Sequence, residues 1–388
     1  MKQVLKSVII IILLMAFFLV GGCSSEATTE ENISKGKETV EEKIEDQVEE
    51  IRLRASSGLT ELHFFNRGFV RPLFERLEEE TDGALSFEVF TAGELIPLGT
   101  EFDALRHGTI DISLTLTAIY DPQRFPYTEV VMLPLHESDA HIIATAMQNL
   151  MKSDREIIDG KTYYQVEFGD KDLVVFTLPP TEPYLISTTG HRFESLEQFS
   201  EVIRMRTASR VHEILSSNLN LSSLSMPITD AYDALSRNAL DGIFYNVPDW
   251  EATGLDDLIN YTIEGVNLGH FVNQIAMTQA TWDKLPGKIQ EKFEQAANEL
   301  IFDGALLTMG EAESGKENNI EKGGEFVHLH DLDPATRDHI NQAMVKTWYD
   351  WIENLESQQL AGREMAILWR DMLVEAGAVL PKEIMEIE

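Results

Sequence analysis

Residues 202–246 read VIRMRTASRVHEILSSNLNLSSLSMPITDAYDALSRNALDGIFYN, and this stretch decides the fold. In Val202, Ile203, Arg204, Met205 and Arg206 the apolar Ile203 and Met205 alternate with the two arginines. A period of two predicts a strand with both guanidinium groups on the face opposite the apolar pair. Thr207 and Ser209 come next as candidate caps for a helix through Val211, Ile214 and Leu215,. Arg206 therefore stands at a strand end beside a helix N-terminus, a region that favours an anion. A planar guanidinium holds a carboxylate through two parallel, charge-assisted hydrogen bonds. The competing reading makes both arginines surface salt-bridge partners, the commoner fate of arginine. Further on, a helix from Asp230 to Arg237 and a strand from Asp241 to Tyr245 complete a strand–helix–strand–helix–strand pattern.

Working outward, the same alternation of elements recurs before this stretch. Leu62 to Phe65 reads as a first strand, followed by a helix carrying Phe69, Val70, Leu73, Phe74 and Leu77 on one face and closed by Gly83,. Leu85, Phe87 and Val89 mark a second strand. A helix through Phe102 and Leu105 follows, and then a third strand on Ile110, Ile112, Leu114 and Leu116,. Such an order predicts a parallel α/β sheet, whose ligands sit outside the carboxyl ends of the strands. That rule selects the loops at Phe65, Asn66 and Arg67 and at Thr117 to Tyr120. A helix over Ser138 to Met151 and strands at Tyr163 to Phe168 and Leu173 to Leu178 come next. Pro179, Pro180 and Pro183 then read as a stiff crossover between domains,. Phe271 to Thr278 reads as a strand returning to the first domain, and after Pro286 long helices fill the C-terminal third.

The order of motifs resembles the solute-binding subunits of TRAP (tripartite ATP-independent periplasmic) transporters, the DctP family. Arg204, Met205 and Arg206 match the family's basic–aliphatic–Arg strand. Met226 and Pro227, the helix carrying Tyr232, Asp233, Ala234 and Leu235, and the Asp241–Gly242 pair match the family's next turn, helix and strand. Gly83 to Leu95, Ala104 to Asp111, Phe125 to Pro134 and Trp282 to Pro286 are similar to further family motifs, so the resemblance runs from about Thr60 to about Leu300.

The resemblance implies a two-lobed, periplasmic-binding-protein-like α/β fold with crossing strands and C-terminal bracing helices. Lobe I is expected over residues 58–182 and 271–308, and lobe II over 183–270 and 309–388. It also implies a receptor that closes on an organic acid anchored by Arg206 and delivers it to an ion-gradient-driven permease.

Three positions depart from the family pattern. Tyr184 stands roughly where sialic-acid-binding members carry an additional arginine. Val202 replaces a common glycine. Ile243, Phe244 and Tyr245 take the place of a polar run, with Asn246 one position later. The Tyr184 change argues against a sialic acid, and the replaced polar run points to a less polar acid, aromatic or branched. The expected ligand-binding set is Arg206, Phe65, Asn66, Thr117, Tyr120, Tyr184, Phe244, Tyr245 and Asn246, with Phe244 equally readable as core.

The first residues read as an address. Lys2 and Lys6 precede an apolar run from Val8 to Val20, and Val20, Gly21, Gly22 and Cys23 look like a lipobox,. Residues 1–22 are expected to be a lipoprotein signal peptide and Cys23 the lipidated residue, anchoring the chain to the outer face of the cell membrane. Residues 23–57 are expected to be a solvated acidic tether, too polar to bury a core. Two acyl chains suffice for stable anchoring.

Cys23 is the only cysteine among 388 residues, so no intrachain disulfide forms,. A net charge of -35 argues against nucleic acid as a partner,. His328, His330 and Asp331 are the nearest approach to a metal cluster, without further ligands at motif spacing. No metal or cofactor is expected. No serine elbow or histidine–carboxylate constellation points to an enzyme. A sensor that presents its liganded form to a membrane kinase is the alternative.

Overall fold

The computed structural model describes residues 50–388. The signal peptide, Cys23 and most of the tether lie outside the described residues. In chain order come β1 (Ile51–Ser56), α1 (Arg71–Glu80), β2 (Leu85–Phe90), α2 (Glu101–Arg106), β3 (Ile112–Leu116) and α3 (Ala140–Lys152). A small hairpin, β4 (Glu156–Ile158) and β5 (Lys161–Thr162), leads to α4 (Tyr163–Glu167) and β6 (Leu173–Thr177). The next group is β7 (Leu185–Thr188), β8 (Arg204–Thr207), α5 (Arg210–Asn218), β9 (Ser222–Ser225), α6 (Ala231–Ser236), β10 (Gly242–Tyr245), α7 (Trp250–Thr253) and β11 (Tyr261–Glu264). The chain then runs through β12 (Gln274–Thr278), α8 (Gln279–Trp282), α9 (Gly287–Glu321), β13 (Glu325–His328), α10 (Pro334–Ser357), α11 (Gly362–Ala376) and α12 (Lys382–Met385).

Two sheets organise these elements. One has the order β2-β1-β3-β12-β6, with β1 parallel to β2 and β3 and with β12 antiparallel to both its neighbours. The other has the order β13-β11-β7-β10-β8-β9. Residues 178–184 and 265–273 join the sheets and pair with each other: Leu178 N donates to Asn273 O at 2.9 Å, Thr181 N to Phe271 O at 3.0 Å and Tyr184 N to Gly269 O at 3.0 Å. These are the crossing strands, and the three prolines sit in the first of them.

Three expectations differ from what is observed. The first strand is Ile51–Ser56, not Leu62 to Phe65, so the folded body begins inside the stretch read as tether up to residue 57. Its Leu53 and Ala55 point into the core while Arg52 and Arg54 face out, which is strand alternation in the midst of a charged composition,. Phe64 and Phe65 instead open the helical segment that leads into α1. Tyr163 to Phe168 is a helix, because Thr162 and Gln165 form a reciprocal capping box across its first turn,.

The C-terminal helices brace both lobes. The 35-residue α9 packs on α1 and α3 at one end and on the segment after β10 at the other. Close approach is achieved at Gly304, where a Cβ would stand 2.2 Å from Pro179 Cγ in the crossover. α10 lies on α5, but α11 packs on α3 of the first lobe, so residues 309–388 do not all belong to lobe II. Arg155 of the first lobe reaches Asp371 of α11 at 2.7 Å.

Candidate functional site

Arg206 lies on β8, the strand next to the β9 edge of the second sheet. Its β8 position pairs with Ile243 of β10 on one side and Leu224 of β9 on the other. The two arginines of the strand have different surroundings. Arg204 lies exposed and binds Asp241 through Nε at 2.9 Å, whereas Arg206 is wholly buried. Ser209 caps α5 by accepting from His212 N, as the sequence indicated.

The Arg206 guanidinium donates from Nε to Met226 O at 3.0 Å and from Nη2 to the Tyr120 hydroxyl at 3.2 Å. Its Nη1 has no hydrogen-bond partner among the described residues, and no carboxylate there forms an ion pair with it. Its central carbon is 5.9 Å from the centre of the Tyr245 ring. Tyr184 meets Tyr245 edge-on at 5.4 Å and lies parallel to Phe271 at 6.3 Å, and Tyr120 packs on Phe271 at 5.7 Å. Burial holds the Tyr184 and Tyr245 hydroxyls well above the ordinary tyrosine range, so they remain neutral donors,.

These rings enclose a cavity between the lobes, completed by Leu59, His63, Phe65, Leu98, Thr117, Thr181, Ile228, Asp249 and Asn273. About 20 Å³ of it is open to the centre of a water molecule, space for one or two waters,. The space between the lobes at this point is therefore narrow, too small for an organic acid without movement of its walls. A larger groove of about 790 Å³ runs past His136, Lys316 and His328, but it is open to solvent and its Lys316 is paired with Glu264 at 2.5 Å. Orphaned buried polar atoms mark the narrow cavity instead.

Of the expected residues, Phe65, Thr117, Tyr120, Tyr184 and Tyr245 line this cavity, and Arg206 stands behind Tyr120 and Tyr245. Three others do not reach it. Asn66 donates to Thr60 O at 2.7 Å and lines a separate surface depression. Phe244 is core, because alternation along β10 sends it away from Tyr245 and onto His212 at 5.5 Å. Asn246 turns its amide onto Asp249 Oδ2 at 3.0 Å and so orients that carboxylate.

Asp249, His63, Phe271 and Asn273 were not anticipated. His63 Nε2 lies 3.5 Å from Asp249 Oδ1, and burial lowers the pKa of His63 despite that neighbour. His63 Nδ1 accepts from Phe65 N at 3.3 Å, which leaves the proton of the neutral ring on Nε2, facing Asp249,. His212, behind Tyr184, is held neutral by burial at about 4 and binds Leu268 O through Nε2 at 2.9 Å. Among the described residues no group of three or more His, Cys, Asp or Glu side chains is placed to hold a metal.

A buried arginine behind the wall of a narrow, aromatic-lined cavity between two α/β lobes fits a solute receptor, and the family profile agrees. The profile for "Bacterial extracellular solute-binding protein, family 7" (DctP) matches residues 55–354. The chain belongs to this family.

Several solved structures of TRAP solute-binding proteins share the DctP fold with it. One from an unidentified marine microbe, specific for aromatic acids and solved with metahydroxyphenylacetate, superposes with a TM-score of 0.74 at 20% identity. It covers 84% of this chain and all (100%) of that one. One from Rhodoferax ferrireducens T118 with copurified benzoate gives 0.72 at 17% identity, over 84% and 98% of the two chains. One from Bordetella bronchiseptica with bound (R)- and (S)-mandelate gives 0.69 at 17% identity, over 84% and 99%. No match was found among curated proteins. The DctP assignment places the chain among extracytoplasmic solute receptors.

Proposed function

We propose that this DctP protein captures an organic acid in the cavity between its lobes, with Arg206 as the carboxylate anchor, and hands it to a TRAP permease driven by an ion gradient. The observation that carries this is the buried Arg206 guanidinium with an unpartnered Nη1 and no acid beside it among the described residues. A buried charge without a counter-ion costs several kcal/mol, and a ligand carboxylate supplies the missing partner. The neutral hydroxyls of Tyr184 and Tyr245 add donors, and the rings of Tyr120, Tyr184, Tyr245 and Phe271 favour an aromatic or branched acid over a sugar acid. The aromatic acids held by the three structural relatives accord with that preference.

In this reading Cys23 carries the lipid that tethers the receptor to the outer face of the membrane, and the bound acid leaves unchanged, without turnover. Hinge motion at the crossing strands opens and closes the cavity.

A thermal-shift screen over aromatic and aliphatic monocarboxylates, dicarboxylates, sugar acids and neutral sugars tests the proposal, with Arg206→Ala alongside. Stabilisation by one class of acid that vanishes in the variant supports it. Stabilisation by neutral sugars, unchanged in the variant, contradicts it. Recovery of a Cys23→Ser protein from the medium rather than the membrane fraction supports the anchor, and unchanged membrane retention contradicts it.

A further inference from the structure

The cavity holds a second pole of opposite charge, at Asp249. This side chain is 2% exposed and lines the cavity, yet its only cationic neighbour within 4 Å among the described residues is His63, whose ring burial keeps neutral. Arg67, a nearby arginine, is spent on Glu311, which it grips through both terminal nitrogens at 2.6 and 2.9 Å. Asp249 Oδ2 accepts from Asn246, while Oδ1 faces His63 Nε2 at 3.5 Å, too far for a good hydrogen bond,.

Asn273 adds an independent observation. It is fully buried and lines the same cavity, and both its Oδ1 and its Nδ2 lack partners among the described residues. Arg206 Nη1, behind the wall, and Asn273 Nδ2, in it, thus lack acceptors, Asn273 Oδ1 lacks a donor, and Asp249 Oδ1 has only the long contact to His63 at 3.5 Å.

We infer that the ligand is a zwitterion, an acid that also carries an ammonium-type cation, with the carboxylate at Arg206 and the cation at Asp249. This rests on the reading of Arg206 as carboxylate anchor. A plain carboxylate would pair with Arg206 and leave the buried Asp249 carboxyl with only Asn246 at 3.0 Å and the long His63 contact at 3.5 Å,. A neutral hydroxyl offers one donor and no charge. An ammonium offers up to three donors, and the faces of Tyr120, Tyr184, Tyr245 and Phe271 attract cations as well.

The test is calorimetric titration of the whole protein with isosteric pairs that keep the carboxylate and change only the far end. The aliphatic pairs are 4-aminobutyrate with pentanoate and 5-aminopentanoate with hexanoate. The aromatic set is 3-(aminomethyl)benzoate with 3-ethylbenzoate and 3-(hydroxymethyl)benzoate. At least one amine should bind tenfold or more tighter than its apolar isostere. Asp249→Asn, which keeps the shape of the side chain, should reduce that preference to threefold or less. Equal or tighter binding of the apolar or hydroxyl isosteres by the wild-type protein overturns the zwitterion while leaving the Arg206 anchor standing. So does a preference that survives Asp249→Asn in a variant with unchanged melting temperature. Binding of neutral compounds but of no acid from either series overturns the anchor itself, and the zwitterion with it.

Discussion

Arg206 Nη2 of the second lobe lies 3.2 Å from the Tyr120 hydroxyl of the first. The bond crosses the cavity wall and ties the proposed anchor to the facing lobe. Nη2 carries two protons, so Tyr120 can keep one while a ligand takes the other together with Nη1. Tyr120 in this geometry steadies the guanidinium rather than competing for it. Tyr120→Phe is expected to weaken binding of the preferred acid by about tenfold, the scale of one hydrogen bond to a charged group at about 1.5 kcal/mol. Isothermal titration of the variant checks this, and a tighter complex would show that the hydroxyl competes with the ligand.

Beside the cavity, Glu101 accepts from Gly99 N at 2.8 Å and from the Thr117 hydroxyl at 2.9 Å. Burial pushes its carboxyl up from 4.5 to about 7. The folded state therefore holds a proton that the unfolded state has released. The stability this contributes is complete below about pH 4.5 and is lost as pH rises through about 7,. Glu101→Gln stays neutral throughout, and its amide can donate to the Thr117 oxygen. The variant should exceed wild type in stability at pH 8, on the order of 1 to 3 kcal/mol, with little difference at pH 5. Denaturation at the two pH values measures it, and equal differences at both would contradict the assignment.

Glu129 is fully buried where the first lobe meets α5 and α10. Its Oε1 accepts from Arg210 Nε at 2.6 Å and from Trp351 Nε1 at 2.8 Å, while Oε2 has no partner among the described residues. Burial raises its pKa even with Arg210 opposing the shift. Arg210→Met removes that opposition and strands the carboxylate, so the loss should approach about 3 to 5 kcal/mol at pH 8, the range for breaking a buried pair. Because burial favours the protonated carboxyl, the loss should shrink as the pH is lowered,. Urea titrations of the variant against wild type would show this, and a loss independent of pH would mean that Arg210 acts through packing alone.

How much of this was legible depends on how local the signal was. Ile203, Met205 and the arginines between them announced β8, and the caps at Ser209 and the prolines at 179–183 marked the next helix and the crossover. β1 was hidden because Arg52 and Arg54 continue the charged composition of the residues before them, and only the alternating apolar Leu53 and Ala55 betray the strand. The capping box at Thr162 and Gln165 is present in the sequence, but Tyr163, Tyr164, Val166 and Phe168 around it have the composition of a strand,.

At the site, Tyr245 could be separated from Phe244 only once the strand's facing was known. Phe271 and Asn273 reach the cavity because the return crossing strand pairs with residues some 90 positions earlier, a relation that no local periodicity contains. Asp249 was closest to visible, three residues beyond Asn246, but nothing in the sequence says that the segment after β10 turns back to the cavity.

Whether Arg206 holds a ligand carboxylate is decided by calorimetric titration of wild type and Arg206→Ala with the best-binding acid and with its primary amide. Wild type should bind the acid, and the amide should bind at least about thirtyfold more weakly. Arg206→Ala should cost on the order of 2 to 5 kcal/mol for the acid, the range for truncating one partner of a buried charged pair. Undiminished binding of the acid by a folded Arg206→Ala protein, or equal affinity of wild type for acid and amide, would contradict the carboxylate anchor.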